Sequence, residues 1–248
     1  MRRILLIFSC LLFYTACKKE KADTQPPVLT ADPSLNGAGF EQGESYQFTY
    51  TASDDKNLRD LHISWNHKFA GIFTDLGLHP WEGEEVQSLV GKEQKVSFAG
   101  QVPADAQPGL YVLEATASDV DGRKSPQITR EFLVINPRNL TAPVATLSNP
   151  APGGMQVTAG QPFNIEGLVT DDDGLRIIAI KIVRSSPPGE GAVLFDKKLT
   201  AFNNPRLISL KEPVIIPTTQ SAGTAILYLM GVDAADNTAF LQRSLVIQ

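Results

Sequence analysis

The chain has 248 residues, with 22 Lys and Arg against 27 Asp and Glu and a formal charge of −5. An acidic chain of this kind has no electrostatic footprint for a nucleic-acid partner. Its two cysteines, Cys10 and Cys17, both fall in the first 17 residues, so the rest of the chain can hold no internal disulfide.

Met1, Arg2 and Arg3 precede the apolar run from Ile4 to Ala16, and no acid appears before Glu20. A basic start followed by a short apolar core is a signal-peptide profile. The run is too short for the roughly 20 residues of a spanning helix. Cleavage before Cys10 would leave a core of about six residues, below the usual 7 to 15. Cleavage before Cys17 leaves the polar KKEKADTQPP as a tether. Tyr14, Thr15 and Ala16 before Cys17 resemble the bacterial lipobox, which implies residues 1–16 as signal peptide, lipid such as palmitate on Cys17, and a tether over 17–26. Lys18 in place of an aspartate implies an outer-membrane destination in the cell envelope.

The rest of the chain repeats at a period of about 115 residues, a duplication of whole domains. GESYQFTYTASDDKNLRDLHI from Gly43 aligns without a gap on GQPFNIEGLVTDDDGLRIIAI from Gly160. GLYVLEATASDVDGR from Gly109 aligns on GTAILYLMGVDAADN from Gly223. Within the repeats apolar residues alternate, as in Tyr46, Phe48, Tyr50 and Ala52, which is the period of a strand. Short strands between Pro, Gly, Asp and Asn turns predict an all-β chain of two tandem immunoglobulin-like sandwiches, 27–136 and 144–248, joined by a linker over 137–143. The expected strands are A at 28–31 and 144–147, B at 45–52 and 162–169, C at 58–65 and 175–183, F at 110–118 and 224–232, and G at 128–135 and 240–247. Val96–Phe98 and Val214–Ile216 are candidates for the D and E strands. Pro137 and Pro143 predict a stiff linker.

Asp54, Asp55, Asp119 and Asp121 in the first repeat match Asp171, Asp172, Asp233 and Asp236 in the second. The B–C and F–G loops share one end of such a sandwich, so each set would converge there, and convergent carboxylates are what calcium requires. The second apex would face the linker and the base of the first domain. That placement is similar to cadherins, although this linker carries no Asp or Glu. Asp and Asn also serve tight turns by bonding their own backbone, and Asn57, Gly122, Gly174 and Asp236 suit that role. His62, His67 and His79 all lie at or after strand C, where imidazoles could ligate zinc or iron. The odd spacing of His62 and His67 puts them on opposite faces of a straight strand.

The segment from Trp65 to Trp81 holds both tryptophans and has no counterpart in the second repeat. Aromatic side chains on a long loop offer contact area at small entropic cost, so Trp65, His67, Phe69, Phe73 and Trp81 are the candidate ligand-binding residues. In the alternative, Phe69, Phe73 and Leu76 plug the end of the sandwich. The chain order sets this loop near the domain junction. A thiol nucleophile, a GxSxG elbow, HExxH and a phosphate-cradling glycine loop are all lacking, so the sequence reads as non-catalytic, with no cofactor beyond calcium.

These features together resemble the tandem immunoglobulin-like lipoproteins of Bacteroidota. SDDKNLRDLHISWNHKFAG and GLYVLEATASDVDG are similar to one uncharacterised family of unknown function, whose pattern runs from a DN-gLks turn to YxfxvxvtDxxGN. Ile72 stands where that family has a histidine. The resemblance implies a membrane-anchored binding module for a glycan, peptide or protein, or alternatively a structural spacer or adhesion-type protein stiffened by calcium at the junction.

Overall fold

In a computed structural model the described residues are 24–248, apart from 70, 75, 78, 188, 189, 201, 202 and 204. The signal segment, Cys17 and most of the expected tether lie outside them. The chain from 24 onward forms two β-sandwiches. The first contains β1 (Val28–Ala31), β2 (Ala38–Glu41), β3 (Ser45–Ser53), β4 (Leu58–His67), β5 (Gly83–Ser88), β6 (Glu93–Gln101), β7 (Gly109–Asp119) and β8 (Ile128–Ile135). The second contains β9 (Val144–Asn149), β10 (Met155–Val157), β11 (Pro162–Thr170), β12 (Leu175–Arg184), β13 (Val193–Leu199), β14 (Leu207–Ile215), β15 (Gly223–Asp233) and β16 (Thr238–Ile247).

Each sandwich packs a three-stranded sheet on a five-stranded one. In the first the orders are β1-β3-β6 and β2-β8-β7-β4-β5, and in the second β14-β11-β9 and β10-β16-β15-β12-β13. All pairs are antiparallel except β2 with β8 and β10 with β16. This is the immunoglobulin-like arrangement expected from the alternation. Tyr46, Phe48, Tyr50 and Ala52 of β3 all point into the first core, and Ile165 and Val169 of β11 into the second. The candidate at 96–98 belongs to the longer strand β6, and that at 214–216 is the end of β14 and the residue after it; β6 and β14 pair with β3 and β11 over nine residues each.

The duplication extends to an irregularity. Leu58 pairs with Asp119 but Asp60 with Ser118, and Leu175 pairs with Asp233 but Ile177 with Val232, so both domains share a bulge at this place. A bulge shifts the side-chain alternation by one and re-aims the strand. In the first domain, the Tyr111 hydroxyl donates to the Gln107 carbonyl at 2.7 Å. This bond ties the start of β7 to the corner preceding it, as in the tyrosine corner of immunoglobulin-like folds.

Candidate functional site

The Trp65–Trp81 segment begins inside the first core. β4 runs to His67, and its alternation buries Leu61, Ile63, Trp65 and His67. Trp65 packs at 5.4 Å from Trp81 and 6.4 Å from Tyr46, ring centroid to ring centroid, and Gly83 opposite it leaves room for the indole. Its indole nitrogen is buried without a hydrogen-bond partner. An aromatic on that strand is therefore core, and the expectation that Trp65 makes ligand contact is corrected.

Beyond His67 the chain leaves its own sandwich and lies on the next. Phe69 stacks face to face on Phe240, with an interplanar angle of 9°. Phe73 and Leu76 are buried in a cluster with Ile177, Ala179, Met230 and Val232 of the second domain. The Lys181 ammonium sits 5.6 Å from the Phe73 ring centre and 2.9 Å from an Asp196 carboxylate oxygen. Each such buried side chain contributes about 1.5–3 kcal/mol. Phe69, Phe73 and Leu76 do form a plug, but it covers the outer face of the other domain's five-stranded sheet. Phe73, 1% exposed, offers nothing to an external ligand.

His67 sits at the root of this strap. It is 2% exposed, its Nδ1 accepts from the Phe69 amide at 3.3 Å, and its ring meets Tyr111 edge-on at 5.1 Å. Burial pulls its pKa down to about 4, partly countered by the Pro108 carbonyl. Gly109 makes this packing possible: at φ +141° it carries no Cβ, and one there would stand 2.6 Å from His67 Nε2 and 2.5 Å from Thr238 Oγ1. His62 lies on the outer face of the first domain, 3.4 Å from Glu84, while His79 is exposed. The three imidazoles are thus separated by burial and by face, as the odd spacing of the first two requires.

The carboxylates of the second apex accept hydrogen bonds from turn amides, asparagine side chains and a threonine hydroxyl. Asp233 is fully buried; its Oδ1 accepts from the amides of Ala235 and Asn237, and its Oδ2 from the side chains of Asn139 and Asn237. Burial raises its pKa and Asp171 adds to the rise, against the pull of these donors. Asp171 caps the turn through the amides of Asp173 and Gly174, and Asp172 accepts from the Thr141 hydroxyl at 2.8 Å. Asp236, at φ +68°, pairs with Arg176. In the first domain Asp54 accepts from the Lys56 amide and Asp119 from the Arg123 amide, while the Arg123 guanidinium lies 3.6 Å from Asp119 and 3.4 Å from Asp121. Asp55 is exposed, and its carbonyl accepts from Lys92. Among the described residues no three His, Cys, Asp or Glu side chains form a group that could hold a metal ion. Turn amides hold one oxygen of Asp54, Asp119 and Asp171, and the second oxygen of each is buried without a hydrogen-bond partner.

The linker is held by the same apex. Asn136 donates to the Ala235 carbonyl, Asn237 donates to the carbonyls of Asn139 and Thr141, and Gln107 donates to the Asp236 carbonyl. These amides tie the linker between Pro137 and Pro143 to the second domain. Of the predicted contact residues, Trp81 alone keeps a partly exposed ring outside the interdomain stack, beside exposed His79. The amides of Asn136, Asn139, Asn237 and Gln107 were not singled out from sequence, because they lie up to 129 residues from their partners.

These features define a two-sandwich immunoglobulin-like protein with a packed junction. Residues 15–134 match a family described as a domain of unknown function, DUF4625. No curated protein matches the chain. Among solved structures it is similar to fibronectin(III)-like modules of Clostridium thermocellum CbhA, at 16% identity and TM-score 0.27, covering 89% of this chain and 93% of that one. It is also similar to a chimeric titin Z1Z2-Z1Z2 tandem, at 15% identity and TM-score 0.40, covering 89% and 100%. A tetra-tandem repeat in the extending region of a large adhesion protein is 16% identical at TM-score 0.32, covering 91% and 49%.

Proposed function

We propose that the protein is a non-catalytic, lipid-anchored spacer of the cell envelope, which holds its second domain at a set angle and distance from the membrane. The first 17 residues support the anchor, with lipid on Cys17. The observation that carries the spacer role is the plug of Phe73 and Leu76 in the apolar face of the second domain. Domains joined by a short linker move relative to one another unless their interface is large and hydrophobic. Here the loop, the linker amides and the Asp233 apex all close on the same junction.

Spin labels introduced at Glu93 and Lys211, one on each three-stranded sheet, measure this in the full chain in detergent. One narrow interlabel distance distribution is expected. A broad distribution, unchanged by Phe73→Ala, would overturn the spacer reading. The anchor is tested by metabolic palmitate labelling, which Cys17→Ser should abolish.

A further inference from the structure

The first domain has a cleft of about 210 Å3 between residues 79–82 and the connection from β6 to β7. Trp81, Pro80 and Pro103 form its apolar walls, and Glu82, Asp105 and His79 stand around them. Glu82 and Asp105 are exposed, and neither has an ion-pair partner among the described residues. No lysine or arginine lines the cleft.

The two walls hang from one hydroxyl. The Trp81 amide donates to the Tyr111 oxygen at 3.1 Å, and that hydroxyl donates to the Gln107 carbonyl at 2.7 Å. The Gln107 amide in turn donates to the His79 carbonyl at 2.9 Å, and the Gln42 side chain holds the Ala106 carbonyl at 2.6 Å. The inner side of the Trp81 ring packs on Tyr46 and Trp65, with centroids at 5.2 and 5.4 Å. The indole is therefore fixed before any ligand arrives, which removes much of the ordering cost of binding.

We infer that this cleft receives one lysine or arginine side chain of a protein or peptide partner. Its volume is below the roughly 300–1,000 Å3 of small-molecule pockets and suits a single long side chain. The stem of such a side chain covers apolar walls while its head stays wet. The head gains from an aromatic face and from carboxylates. An anionic ligand meets two like charges here, and a neutral sugar leaves both carboxylates unused. The inference does not depend on the spacer role, because the cleft is built within the first domain and would survive a mobile junction.

The test titrates the full chain in detergent with acetylated tetra-arginine amide, following tryptophan fluorescence and heat. Tetra-glutamate and cellohexaose are the comparison probes. Tetra-arginine should bind saturably and perturb the emission, and Glu82→Gln with Asp105→Asn should weaken it roughly five- to thirtyfold without moving the melting midpoint. Trp81→Phe, which keeps the packing, should weaken it less. No saturation by tetra-arginine at millimolar concentration would overturn the inference. Equal binding by the double variant, or equal binding of either comparison probe, would do the same.

Discussion

The Arg184 guanidinium donates to the carbonyl oxygen of Ser221 at 2.9 Å, doing for the second domain what the Tyr111 hydroxyl does for the first by donating to Gln107. Arg184 pairs with Ala225 at the end of β12, where His67 pairs with Tyr111 at the end of β4. The arginine also donates to the carbonyls of Ser186 and Ala222 and to the Ser221 hydroxyl, with no carboxylate among its partners in the described residues. One planar fork has replaced a tyrosine corner.

Arg184→Ala should therefore be costly, because it removes a side chain only 1% exposed and the donor to three carbonyls at the end of β12. A loss of about 1.5–3 kcal/mol is expected in urea unfolding. Arg184→Lys should recover little, since an ammonium cannot present the same fork. Full stability in the lysine variant would show that charge alone suffices.

Phe73→Ala removes the centre of the plug. A cost of about 3–5 kcal/mol is typical for a buried phenylalanine. Here it should appear as uncoupling. Scanning calorimetry of the wild-type chain should show one cooperative transition and the variant two. Two transitions already present in the wild type would mean that the junction does not couple the domains.

His67 gives the junction an acid dependence of defined sign. Its folded pKa of about 4 lies below the ordinary value of 6.5, so the unfolded chain binds the proton first. The stability held by the neutral ring is complete above about pH 6.5 and is lost as pH falls through 4, by on the order of 2–3 kcal/mol. Protonation at Nδ1 would also remove the acceptor of the Phe69 amide. Urea midpoints of wild type and His67→Gln at pH 7 and pH 4.5 should show a smaller acid loss in the variant. Parallel losses in the two proteins would assign the dependence to other groups.

Asn139→Ala takes one of four donors from buried Asp233 and an anchor from the linker. About 1–2 kcal/mol should be lost, and the interlabel distance between Glu93 and Lys211 should broaden. Millimolar calcium should leave the melting midpoint where it is, because among the described residues no three acidic, imidazole or thiol side chains form a group that could hold the ion. A midpoint rising with calcium and saturating would show a cation bound to the folded state.

The core strands were legible because each has one face in oil and one in water. Tyr46, Phe48 and Tyr50 alternate with polar residues, and both the hydrophobic term and the pleat require that period. β2, β5, β10 and β13 were not anticipated. β5 carries GEEVQS, exposed at nearly every position, and β2 and β10 are short edge segments, so none leaves an alternating signal. Their position comes from hydrogen bonding to a neighbour already in place. The Asp clusters were legible as turns, but their partners were not, since Asn139 lies 94 residues from Asp233.

The sequence by itself determined two duplicated sandwiches, their inward faces and the absence of a covalent staple beyond Cys17. It also held a hint that β12 is covered on both sides, since Ile177, Ile178, Ala179 and Ile180 leave no polar parity. What covers that face was decided only by the tertiary structure. The run from Phe69 to Leu76 has no period that distinguishes a ligand-binding loop from a plug. Its apolar side chains lose contact with water equally well against a ligand, its own domain or the next one. The short linker brings the outer face of the second domain's five-stranded sheet, with Ile177, Met230 and Phe240, within reach, and the loop covers that apolar surface.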